Sequence, residues 1–170
     1  MPTSTIRRSL TVLVTLVVAI VVTVALPHDS RALAPSAIGE FHPVRVTRVF
    51  DSRSSGTSLA ATTSGSAFDV SFAGGVLPAD TSVITAVLAN VTVVGASVDG
   101  YLTTGPTGRP RPLTSTVNFN RGATAPNLAL LRPGADGSVT FTLVSYGAVP
   151  GRADVLVDVF GYLASSTGDR

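Results

Sequence analysis

The run Arg152-Ala-Asp-Val-Leu-Val-Asp-Val-Phe-Gly-Tyr-Leu163 governs how the rest of this chain can fold. Outside the N-terminal segment it is the longest apolar stretch, rich in Val and aromatics, with Asp158 in its middle and Gly161 near its end. A run of this length and composition predicts a strand buried on both faces. Such a strand belongs inside a sheet. A chain that holds its central strand until the end cannot close its core before that strand docks.

Upstream, short apolar runs alternate with turn residues. Val44–Phe50 alternates as a strand, with Val44, Val46 and Val49-Phe50 expected inward. Asp51–Gly65 is rich in Ser, Thr and Gly and predicts a long surface loop. Ala67–Phe72 places Phe68, Val70 and Phe72 on one face. Ser82–Val94 predicts a long strand with Val83, Val87, Ala89, Val91 and Val93 on one side and Ile84, Ala86, Leu88, Asn90 and Thr92 on the other. Tyr101–Thr104, Ser115–Phe119 and Pro126–Leu131 are shorter candidates, separated by the Gly105–Pro112 loop and by turns. Asp136-Gly137 is a turn dipeptide. After it, Val139, Phe141 and Leu143 point in and the Thr residues point out. No segment shows helical periodicity. About eight short strands with turns between them predict an all-β, antiparallel, jelly-roll-like β-sandwich.

The N-terminal segment reads differently. Arg7 and Arg8 precede an uninterrupted run of apolar residues, Ser and Thr from Ser9 to Leu26, and Pro27 breaks it. Small residues follow, which predicts a secretory signal peptide over residues 1–32, cleaved after Ala32. An uncleaved membrane anchor is the rival reading, and it is the only membrane contact the sequence suggests. Residues 33–43 read as a linker, 44–163 as the sandwich and 164–170 as a flexible tail. The formal net charge is +2, and Arg7, Arg8 and Arg31 against Asp29 account for all of it. The remaining charges balance, so nothing in composition points to nucleic acid. There is no Cys, and an exported domain without disulfides must hold itself together by its core. Every basic residue is Arg, a usage that suggests a GC-rich bacterial genome such as that of an actinobacterium.

An ordered set of motifs runs through the sandwich region. It comprises Arg48-Val-Phe-Asp51-Ser-Arg53, Asn90-Val-Thr92, Gly100-Tyr-Leu-Thr103 with Pro106, Ser115-Thr-Val-Asn118-Phe, Pro126-Asn127-Leu-Ala and Asp158-Val-Phe-Gly161-Tyr. As a set it resembles an uncharacterised β-rich domain found singly or in tandem in secreted actinobacterial proteins. The resemblance spans about Val44 to Leu163. It implies an extracellular or cell-surface accessory role and supplies no mechanism.

Catalytic chemistry finds little support. A Ser–His–Asp triad would need His42, which lies in a Pro-flanked lead-in, and there is no nucleophile elbow. A glycosidase needs two carboxylates, one with a raised pKa. Asp51 and Asp158 are the only pair worth testing. Their structural reading is stronger: a carboxylate on a buried strand needs a partner, and Arg48 and Arg53 flank the end of the first strand. Asp158 or Asp51 is therefore expected to pair with one of these arginines, and Asp158→Ala to cost several kcal/mol. No Asp-x-Asp-x-Asp cluster marks a calcium loop, although a structural calcium assembled from distant loops stays open. No other cofactor is expected.

Sugar binding wants exposed aromatics beside amides. Tyr101, Tyr146, Asn118 and Asn120 are candidates, with Arg109 and Arg111 on an exposed cationic loop. The competing reading puts Tyr101 and Tyr146 at the core boundary and the Asn side chains on loop backbones. The sequence therefore predicts a secreted or cell-surface, non-catalytic module. It would bind glycan or cell-wall polymer through loops at one end of the sandwich, including Ser52–Gly65 and Gly105–Arg111. The alternative is a structural module that self-associates or docks a partner protein.

Overall fold

A computed structural model describes residues 39–56, 58–78 and 80–165. The expected signal segment lies outside them. Among the described residues nine strands form two antiparallel sheets: β1 (Glu40–Asp51), β2 (Leu59–Ala61), β3 (Ser66–Ser71), β4 (Ile84–Val94), β5 (Gly100–Pro106), β6 (Val117–Phe119), β7 (Ala125–Leu131), β8 (Ser138–Ser145) and β9 (Gly151–Ala164). One sheet runs β1-β9-β4-β7, with β2 added along β9. The other runs β3-β8-β5-β6. These described residues form an all-β domain whose two antiparallel sheets pack as a sandwich.

The core lies between the sheets. From the five-stranded sheet come Val87, Ala89, Val91 and Val93 of β4 and Ala153, Val155, Val157 and Val159 of β9, all fully buried. From the four-stranded sheet come Val70, Leu102, Val117, Phe119, Val139, Phe141 and Leu143. Phe68 links the layers, stacking on Phe50 at 5.2 Å and on Phe141 at 5.5 Å. This shape-filling is what the period-two alternation of β3, β4, β8 and β9 dictates.

β9 sits between β1 and β4, the central place its composition predicted. It is not buried on both faces. Its outer face carries Asp154, Leu156, Asp158 and Phe160, of which only Leu156 is fully covered. The register shifts at Phe160: Leu88 pairs with Gly161 and Ala89 with Val159, which leaves Phe160 as an extra residue. A methyl on Gly161 would strike the Phe41 ring and the His42 carbonyl, so the glycine admits the neighbouring strand.

Other expectations are corrected by bulges and short pairings. β1 begins at Glu40, inside the expected linker, and Phe41, His42 and Pro43 pair with Leu163, Tyr162 and Gly161. A shift between Pro43 and Thr47 turns Val46 outward, where it is 56% exposed. A second shift between Ile84 and Ala86 buries Ile84 in place of Val83. The expected loop over 51–65 holds a 3-10 turn (Ser52–Ser55) and β2. Ala164, expected in the tail, pairs with both Glu40 and Ile84.

Candidate functional site

The outer face of the four-stranded sheet gathers most of the candidate ligand-binding residues. On β5, Leu102 points to the core while Tyr101, Thr103 and Gly105 point away from it. Tyr101 pairs across the sheet with Asn118 of β6 and Val144 of β8. The next row on this face is Thr103, Thr142 and Ala67, and the next is Gly105, Thr140 and Asp69.

Tyr146 leaves the end of β8 and returns over the first row. Its ring lies 5.5 Å from that of Tyr101, tilted by 36°. Its hydroxyl donates to Asn118 Oδ1 at 3.1 Å. Tyr146 is 63% exposed, and neither tyrosine packs into the core, so the core-boundary reading of these two rings is corrected. Tyr162 takes that place, stacked on His42 at 5.0 Å. Asn120 follows β6 and is exposed. Gly100 makes the platform possible: a methyl there would strike the Val144 carbonyl and the Phe119 ring.

At the far end of β5 the Arg109–Pro112 loop folds back onto the same face. Pro112 lies over Gly105, and Arg111 Nη1 donates to the Ser64 carbonyl at 3.0 Å. Thr142, expected to face solvent, is thereby buried, and so is Thr103. Tyr101 and the arginine loop lie at opposite ends of β5, so the candidates share a sheet face, not one end of the sandwich.

A second polar cluster lies on the outer face of the five-stranded sheet. Arg48 Nε and Nη2 donate to the two Asp158 oxygens at 2.8 and 3.0 Å. Arg48 Nη1 reaches Asp51 Oδ2 at 3.3 Å. Arg53 Nε and Nη2 donate to Asp51 at 2.9 and 2.7 Å, and the Arg53 backbone N–H donates to Asp51 Oδ1 at 3.1 Å. The Arg53 bonds hold the Asp51 carboxyl well below the usual carboxylate range, while Asp158 raises the Arg48 guanidinium and Asp51 that of Arg53. A glycosidase acid needs the opposite shift, so Asp51 is unsuited to that role. The pair is not buried as expected: the Asp158 side chain is 19% exposed and that of Arg48 44%.

Sequence reasoning missed Ser52. It is buried, donates to Asp154 Oδ1 at 2.8 Å and accepts the Val155 N–H at 3.0 Å, while Ser58 donates to Asp154 Oδ2 at 3.1 Å. The only signal was a hydroxyl between two charged residues. Among the described residues no three of His, Asp and Glu gather as a metal-holding group. No protein-family model matches this chain, and no curated protein shows significant similarity to it.

Proposed function

We propose that this domain is a secreted, non-catalytic surface module that binds glycan or cell-wall polymer on the outer face of its four-stranded sheet. The observation that carries the reading is the Tyr101–Tyr146–Asn118 cluster. Two rings stand beside an amide on a rigid sheet, and one of them is largely exposed. Rings of this kind stack on the C–H faces of sugars, and an adjacent amide takes the hydroxyls. Tyr101 and Asn118 stand on strands, which limits the ordering cost of binding. Pairing supports the jelly-roll form of the sandwich. With β2 set aside, the first strand pairs with the last and the second with the second-last, and so on inward through β4–β7 and β5–β6. Lectin domains share that architecture, which is an analogy at the level of fold only.

Retention on purified cell wall tests the reading. Tyr101→Ala with Tyr146→Ala should weaken retention by about tenfold or more without unfolding the domain. Unchanged retention in that double variant would sink it. A second reading, self-association, has its own observation: Leu128 and Leu130 on edge strand β7 are 57% and 61% exposed. Sedimentation separates the two, since a glycan module stays monomeric across the concentration range at which it binds.

A further inference from the structure

We propose that the cavity beneath the Arg109–Pro112 loop is a binding site for a small organic carboxylate, separate from the tyrosine platform. The cavity has a volume of about 200 Å³. That is below the roughly 300–1,000 Å³ of drug-sized pockets, so its ligand is small. Pro106, Pro110 and Pro112 give it apolar walls, Thr103, Thr140 and Thr142 lie along the sheet side, and Arg109 and Arg111 line it from the loop.

Thr103 carries the argument. It is 1% exposed, and its Oγ1 has no hydrogen-bond partner. Buried hydroxyls are almost always paired, and an unpaired one is a standing cost that a ligand can relieve. Thr140 does not partner it; the Thr140 hydroxyl donates to Asp69 Oδ1 at 2.6 Å. The loop brings cations to the same place. Neither Arg109 nor Arg111 pairs with an acid among the described residues, whereas Arg48 and Arg53 both do. A guanidinium fork matches a carboxylate, and a hydroxyl completes its hydrogen bonds. The apolar walls call for a carbon body behind that carboxylate. Asp69, one hydroxyl away, disfavours a dianion such as phosphate. The ligand class is therefore a monoanionic carboxylate on a compact body, as an acidic sugar or the free end of a peptide would present.

The experiment is a ¹H–¹⁵N titration of the domain with sodium glucuronate, with N-acetylalanine and with neutral methyl glucoside, each to about 20 mM. At least one carboxylate should shift the amides of Thr103, Thr142 and Arg111, and the neutral glucoside should not. Which carboxylate binds tells the sugar source from the peptide source. Thr103→Val keeps the shape and removes the hydroxyl. It should weaken binding about tenfold while leaving the melting temperature unchanged or higher. Arg109→Gln with Arg111→Gln should weaken it at least as much. Tyr101→Ala should bind normally. Silence of the wild-type domain toward both carboxylates overturns the proposal, as does wild-type affinity in Thr103→Val. Loss of binding in Tyr101→Ala overturns the separateness of the pocket.

Discussion

Asp51 shows how one side chain organises a bend. It ends β1, caps the 3-10 turn through the Arg53 N–H and holds Arg53 and Arg48 together. Its folded-state pKa is depressed from 3.8. Above that ordinary value both folded and unfolded states are ionised, and the stabilisation is fully present. As pH falls below about 4 the unfolded chain takes the proton first, so stability is lost progressively toward the lower folded value. Melting temperature should therefore fall below pH 4 in the wild type, and Asp51→Asn should flatten that slope. An equal slope in the variant would show that other carboxylates govern the acid limb. Solvent screens these exposed pairs, so the effect is modest. The same screening revises Asp158→Ala. An Arg–Asp pair was legible in the sequence because a charge on an apolar strand needs a partner. Its exposure was not legible, because the run's composition does not say that the outer face of this strand is left uncovered. The expected drop in melting temperature is about 5 °C at most. Ser52→Ala should cost more, about 1–3 kcal/mol, because it leaves the buried Val155 N–H without its hydroxyl acceptor. Urea melts of the two variants give the order directly.

At the level of elements, β9 divides its two faces sharply. Val157 is fully buried between the sheets, while Phe160 is 36% exposed. Val157→Ala removes two buried methyl equivalents and leaves a cavity, so it should cost about 2–3 kcal/mol. Phe160→Ala should stay within about 1 kcal/mol. Equal costs would mean that the outer face of this sheet is covered in solution. Strands with clean alternation and a full length of contact, such as β3 and β8, were legible because period two leaves one answer for each side chain. β2 was not. Its three residues lie in a Ser/Thr-rich stretch too short to show a period, and they become a strand only because Leu59–Ala61 meet Ala153–Gly151. The site followed the same rule. Tyr101 and Asn118 could be named from residue type. The burial of Thr103 could not, since it depends on a loop returning over Gly105 from several residues downstream.

For the whole molecule, order of synthesis and order of pairing run opposite ways. β1, β2 and β4 each take β9 as a neighbour, and β9 comes after the other eight described strands in chain order. The four-stranded sheet has no such dependence, because β3, β5, β6 and β8 are complete before residue 151. That sheet alone still cannot be stable, since Leu102, Phe141 and Leu143 bury themselves against Val155, Val157, Val159 and their neighbours on the other layer. No disulfide is available to hold the partial structure together. A chain ending at Pro150 should therefore lack a cooperative thermal transition and be cleaved rapidly by protease. A peptide spanning residues 151–165 should restore protection when added in trans, because β1 and β4 present matching edges for it on either side. A truncated chain that melts cooperatively without the peptide would show that the sandwich closes before β9 arrives. Pairing in which β1 waits for β9 would then not be the route by which this core assembles.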